Sequence, residues 1–148
     1  MLHGSTAGHD AIQGLWFDPR AYPETISALR PRIPAPLPSW RLRRVEAYID
    51  ANIEGPVTLA DLARAAGLSP MHFAAQFRRL TGVRPHEFLL RRRIDHAQAM
   101  LADPRAKLVD VALSVGFQTQ AHFTTVFKRF VGETPHRWRC GDRIAAVA

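Results

Sequence analysis

An all-α fold is predicted by three observations. Apolar residues recur at helical spacing from Ser39 onward, no stretch keeps the alternation of a strand, and one two-helix pattern occurs twice. The architecture expected is two helix–turn–helix subdomains joined by a long helix, with a short Pro-rich segment at the N-terminal end. Three parts follow from this: a segment and linker over 1–38, the helical domain over 39–140, and a tail over 141–148.

The N-terminal segment holds six of the eleven prolines, and RPRIPAPLPS (30–39) reads as an extended, semi-rigid joint. Upstream, Leu15, Trp16 and Phe17 are apolar anchors and a short helix is predicted around Glu24–Leu29. Ser39 is the expected cap of the first long helix, in which Leu42, Val45, Tyr48 and Ile49 share a face while Arg41 and Arg44 point outward. Gly55-Pro56 should end it. Thr58-Leu-Ala-Asp61 has the form of a capping box, opening a helix through Leu62 and Ala63 that stops at Gly67. Ser69 then caps a helix with Pro70 in its first turn, with Phe73, Phe77 and Leu80 facing inward before Gly82. A longer helix is predicted from Pro85 to about Ala102, its buried stripe formed by Leu90, Ile94, Ala97 and Leu101. Asp103-Pro104 terminates it.

The earlier pattern then returns. LADLARAAGLS (59–69) matches LVDVALSVGFQ (108–118), and HFAAQFRRLTGVRPHEF (72–88) matches HFTTVFKRFVGETPHRW (122–138) with one residue inserted between the two blocks. The agreement covers apolar, Gly and Pro positions together, including Gly67 with Gly116, Phe77 with Phe127 and Pro85 with Pro135. Phe117, Phe123, Phe127, Phe130 and Trp138 fall at helical spacing and are expected in a core, not as stacking platforms.

The formal net charge is +7, and residues 1–38 contribute none of it, carrying Arg20, Arg30 and Arg32 against Asp10, Asp18 and Glu24. An anionic partner would therefore meet the helical domain. The lone Cys140 excludes an intramolecular disulfide and fits a reducing compartment. The start MLHGSTAGHD has no signal-peptide pattern, and no run approaches the roughly 18 apolar residues of a membrane helix. A cytoplasmic, nucleoid-associated location is expected, without membrane contact.

Two helices meeting across a tight turn can place the second in a major groove. A joining helix of about 18 residues is roughly 27 Å long. One turn of B-DNA is about 34 Å, so two such readers could enter successive groove segments on one face. Residues 41–140 resemble the DNA-binding domain of the AraC/XylS family of transcription regulators. The resemblance is carried above all by VGFQTQAHFTTVFKRFVGETPHRWR (115–139), with its Gly-Phe, spaced Phe, Gly, Pro and terminal aromatic-Arg. It implies seven helices, two helix-turn-helix subdomains, double-stranded DNA as partner, and usually activation of transcription beside RNA polymerase.

With Phe73 and Phe77 inward, the open face of the first recognition helix is Met71, Ala74, Ala75 and Arg78. The resemblance makes Met71, Ala74 and Ala75 the base-facing positions. The family often has arginine where Ala75 stands. Met and Ala can touch thymine methyls but cannot make bidentate contacts to guanine. The second recognition helix offers Gln120, Ala121, Thr124 and Thr125 on the same face, with Thr119 as its cap. Gln can pair with adenine and Thr combines a hydroxyl with a methyl, so Gln120 and Thr124 are the preferred specificity residues. Arg78, Arg79, Lys128 and Arg129 occupy equivalent repeat positions suited to phosphate, and Arg92, within Arg91–Arg93, matches a family phosphate contact. Arg41, Arg43 and Arg44 are weaker candidates.

The histidine pairs His72/His122 and His86/His136 lack metal-ligand spacing, so neither metal nor cofactor is expected. No nucleophile, phosphate-loop or dinucleotide motif points to an enzyme. The apolar Met71, Ala74 and Ala75 leave open a second reading, a helical module that docks another protein. About 38 residues precede the domain, too few for an effector pocket, so a small-molecule effector is not expected within this chain. Either a stand-alone regulator or a fragment lacking a sensor domain fits.

Overall fold

The computed structural model describes the backbone of residues 33–147 and the side chains of residues 33–141. Leu15, Trp16, Phe17 and the helix expected around 24–29 lie outside the described residues. Among the described residues there are seven helices and no strand: α1 Ser39–Ala51, α2 Leu59–Ala66, α3 Pro70–Thr81, α4 Pro85–Leu101, α5 Leu108–Ser114, α6 Gln120–Val131 and α7 Pro135–Val147.

The repeat extends to single hydrogen bonds. At the end of α2, Gly67 is left-handed (φ 68°), Gly67 N donates to Arg64 O at 3.0 Å, and Leu68 N donates to Ala63 O at 2.9 Å. At the end of α5, Gly116 (φ 84°) donates to Leu113 O and Phe117 N to Ala112 O, both at 2.9 Å. This paired closure satisfies the last carbonyls of a helix and turns the chain sharply, which is what lets the second helix of each unit cross the first. Ser69 and Thr119 accept from the backbone N–H of His72 and His122, capping α3 and α6.

Two cores result. The first gathers Val45 and Ile49 of α1, Leu62, Ala63 and Ala66 of α2, Phe73 and Phe77 of α3, and Leu89 of α4. Leu37, in the stretch read as a linker, is buried there too, with its N–H bonded to Gln76 O at 3.2 Å. The second core is built from Leu90, Ile94, Ala97 and Leu101 of α4 with Val111, Ala112, Val115, Phe117, Phe123, Val126 and Phe127. The expected α4 stripe thus belongs wholly to the second unit, while the preceding Leu89 turns toward the first. Phe130 and Trp138 are partly buried against the second core. Equivalent aromatic contacts close each unit: Phe77 on Phe88 at 5.2 Å and Phe127 on Trp138 at 6.1 Å, both edge-on.

Four local expectations are corrected. Ser39 does not cap α1; it is the first helical residue, and the capping position is Pro38, whose O accepts from Arg41 and Leu42. α1 stops at Ala51, before Gly55-Pro56, where Asn52 folds its Nδ2 onto Tyr48 O at 2.8 Å. Leu80 is 41% exposed, because the inward stripe of Phe73 and Phe77 continues four residues on to half-buried Thr81, whose hydroxyl donates to Phe77 O. Arg41 does not point outward: it donates to the carbonyls of Ala66 and Gly67, and its guanidinium lies 4.5 Å over the Trp40 ring.

Candidate nucleic-acid interface

On α3, Met71 is the most exposed large apolar side chain described, at 83%, while Ala74 and Ala75 are half-buried and Arg78 is exposed. The four share one face by helical spacing. The small alanines leave a groove of about 440 Å³ beside the helix, floored by Val57, Leu59, Leu62 and Leu89 and flanked by Arg78 and Arg84. An apolar floor under two guanidinium groups can receive methyl and sugar surface with a phosphate at the edge. Arg84 was not singled out in the sequence; its only signal is its place immediately before Pro85.

On α6, Gln120, Ala121 and Thr125 are exposed and Thr124 is half-buried. Thr125 Oγ1 donates to Ala121 O at 3.1 Å, one turn back. Its proton is thus engaged, and the side chain presents an acceptor lone pair and a methyl. Gln120, the first residue of α6, makes no hydrogen bond through its side chain among the described residues, so both its donor and its acceptor are available.

The basic residues divide into two groups. Arg78, Arg79 and Lys128 are exposed and form no ion pair among the described residues. Arg92 is held by Asp50 of α1, which also meets His96 Nε2 at 3.3 Å. Arg129 Nη2 pairs with Glu87 Oε1 at 2.8 Å. Both pairs are partly exposed and screened, so a phosphate can compete for either cation at small cost. Arg91–Arg93 splits three ways: Arg91 is exposed, Arg92 is paired, and Arg93 is buried. Arg43 and Arg44 are exposed, whereas Arg41 is committed to the α2 terminus.

The first helix of each unit differs in its cap. Thr58 N donates to Asp61 Oδ2 at 2.9 Å and Asp61 N to Thr58 Oγ1 at 3.2 Å, the reciprocal box expected. Hydrogen bonds from the Thr58 hydroxyl and backbone, then the Arg64 charge, hold the Asp61 carboxyl below its ordinary pKa. The equivalent α5 has Lys107 at its capping position and no side-chain cap. Among the described residues, no His, Cys, Asp and Glu group comes together as a metal site, and no helix is long and apolar enough to cross a membrane.

Two glycine-closed helical pairs, each with a capped second helix that carries cations in its last turn, define a double helix-turn-helix module. A family model described as a helix-turn-helix domain matches residues 62–140, over half of the chain. The transcriptional activator RhaR of Klebsiella pneumoniae is 32% identical over 105 residues, which are 71% of this chain and 37% of RhaR. A probable AraC family regulator from Rhodopseudomonas palustris superposes with TM-score 0.60 at 33% identity, over 67% of this chain and 94% of that one. The DNA-binding domain of AdpA, solved with a target DNA, superposes with TM-score 0.65 at 28% identity, over 71% of this chain and 95% of that one. The chain belongs to the AraC/XylS family of transcription regulators, a family of DNA-binding proteins and not of enzymes. It spans 38% or less of the length of the first curated relatives it matches.

Proposed function

We propose that this chain is a transcription regulator that reads a bipartite site in double-stranded DNA, inserting α3 and α6 into successive major-groove segments. The observation that carries the reading is the duplication itself: two units with the same turn, cap and terminal glycine, each packed onto one helix of 17 residues. That helix is about 26 Å long, of the order of one DNA turn.

In this reading Gln120 and Thr124 supply most of the discrimination, with Ala121 and Thr125 adding contact to thymine methyls. Met71, Ala74 and Ala75 hold T-rich steps through apolar contact. Arg78, Arg79 and Lys128 meet phosphates directly, while Arg92 and Arg129 do so by exchanging or sharing their carboxylate partners. The DNA complex of AdpA and the activator name of RhaR support DNA binding and activation respectively. RNA polymerase is the proposed protein partner, and the nucleoid in the cytoplasm the proposed place of action. The domain boundaries at residues 38 and 140 belong to the same reading, with α7 continuing beyond the second to Val147.

Selection from a randomised duplex pool tests it. Two short enriched elements about one helical turn apart are expected. Salt-sensitive binding without any enrichment would overturn sequence-specific reading.

A further inference from the structure

No helix of the first unit packs extensively on a helix of the second among the described residues; the packing between them passes through α4. Beside α4 a cleft of about 470 Å³ opens between the units, lined by Glu54 to Val57 on one side and by Leu113, Gly116 and Phe117 on the other. A joint of that kind leaves two rigid bodies free to rock unless something spans the cleft.

One side chain does. Arg93, on α4, is 9% exposed, and its Nη2 donates to Gly55 O in the loop after α1 at 2.7 Å. Its Nη1 donates to Gly116 O, in the turn of the second unit, at 2.9 Å. Among the described residues no carboxylate pairs with it, and its Nε is buried without a partner. A buried cation is therefore held by backbone carbonyls alone, two of them from opposite units. Gly116 O lies two residues past the last residue of α5, where a cation is favoured. Gly116 forms the other half of the joint: a Cβ there would come within 2.5 Å of Ile53 O and 2.7 Å of the guanidinium carbon. Close approach of the two loops thus requires glycine at this position.

We propose that Arg93 is a positioning residue that fixes the spacing and angle between the two recognition helices by clamping Gly55 O and Gly116 O in one planar fork. It touches no base; it sets the separation of half-sites the protein accepts. The inference rests on the bipartite reading for its consequence, but the clamp itself can be tested without DNA. Lysine keeps the charge and most of the stem yet presents a single compact head, so it cannot hold both carbonyls in fixed geometry. Methionine keeps the volume without charge and serves if the lysine variant does not fold.

The first arm measures the free protein. Spin labels at Ala60→Cys and Val109→Cys, in a Cys140→Ser background, report the distance between α2 and α5. A narrow distribution is expected, broadening in Arg93→Lys and Arg93→Met. The second arm measures affinity for the selected site and for versions with one base pair inserted or removed between its elements. Each such change rotates one element by about 35°. The native chain is expected to lose at least about tenfold, and the variants less than about threefold, because a looser joint accommodates the change. Variants that fold and retain either the narrow distribution or the native spacing penalty overturn the clamp. If the native chain tolerates every spacing while the distribution still broadens in the variants, the bipartite reading falls and the clamp stands.

Discussion

Gln120 and Thr125 show how the same exposed face of α6 offers unequal chemistry. The Thr125 proton is engaged one turn back, at Ala121 O, while the Gln120 amide is uncommitted. An amide whose donor and acceptor are both free can satisfy both adenine positions at once, and a good bidentate pair discriminates by about 1–3 kcal/mol. Alanine at Gln120 and Thr124 should therefore weaken the selected site by about ten- to a hundredfold while leaving random duplex nearly unchanged. Parallel titrations on both duplexes check this, and equal losses would remove the two residues from base reading. Asp50 acts in the opposite sense, occupying Arg92. Asp50→Asn should tighten binding to random duplex while leaving the slope of log K against log salt nearly unchanged, since Arg92 meets its phosphate in either case and only the cost of leaving the carboxylate is removed.

At the scale of single helices the two units carry a natural comparison. α2 opens with the Thr58–Asp61 box, and α5 has Lys107 at its capping position and no side-chain cap, although Asp110 stands in the corresponding place. Thr58→Ala should cost about 1 kcal/mol, and Lys107→Thr should stabilise by about 0.5–1 kcal/mol by giving Asp110 its missing partner. Urea unfolding monitored by circular dichroism measures both. The Asp61 carboxyl has a lowered pKa in the folded chain, so its contribution is complete above the ordinary carboxylate range. It is lost as pH falls through that range toward the folded value. The stability gap between the native chain and Asp61→Asn should accordingly shrink from pH 7 to pH 3 and stay flat from pH 6 to pH 8.

Across the whole molecule, what the sequence made legible was local or periodic. The capping box, the glycine closures, the Ser69 and Thr119 caps and the α4 stripe each depend on residues within a turn or two of one another. Ser39, Leu80 and the end of α1 misled over which residue within a single turn takes the role, whereas Arg41 and Arg93 depend on neighbours distant in the chain. Arg41 reads as outward because its carbonyl partners lie 25 and 26 residues away. Arg93 reads as one of three basic residues, since Gly55 and Gly116 lie 38 and 23 residues to either side. Arginine in a sequence carries no mark of which carbonyls it will find. The sequence shows by helical spacing the face that the proposed base-facing positions share, but not the groove that Ala74 and Ala75 leave open. With five candidate phosphate contacts, the salt slope of the native chain should be about −4 to −5. A slope near −1 would mean that most of these cations stay out of the interface.

The two units share a scaffold but not an outer face: Met71, Ala74 and Ala75 stand on α3 where Ala121, Thr124 and Thr125 stand on α6. A pair of identical readers related by a two-fold axis cannot tell one end of its operator from the other. Unlike readers on one chain can. The site such a molecule prefers has a direction, and inverting it turns the bound protein around to face the other way along the promoter.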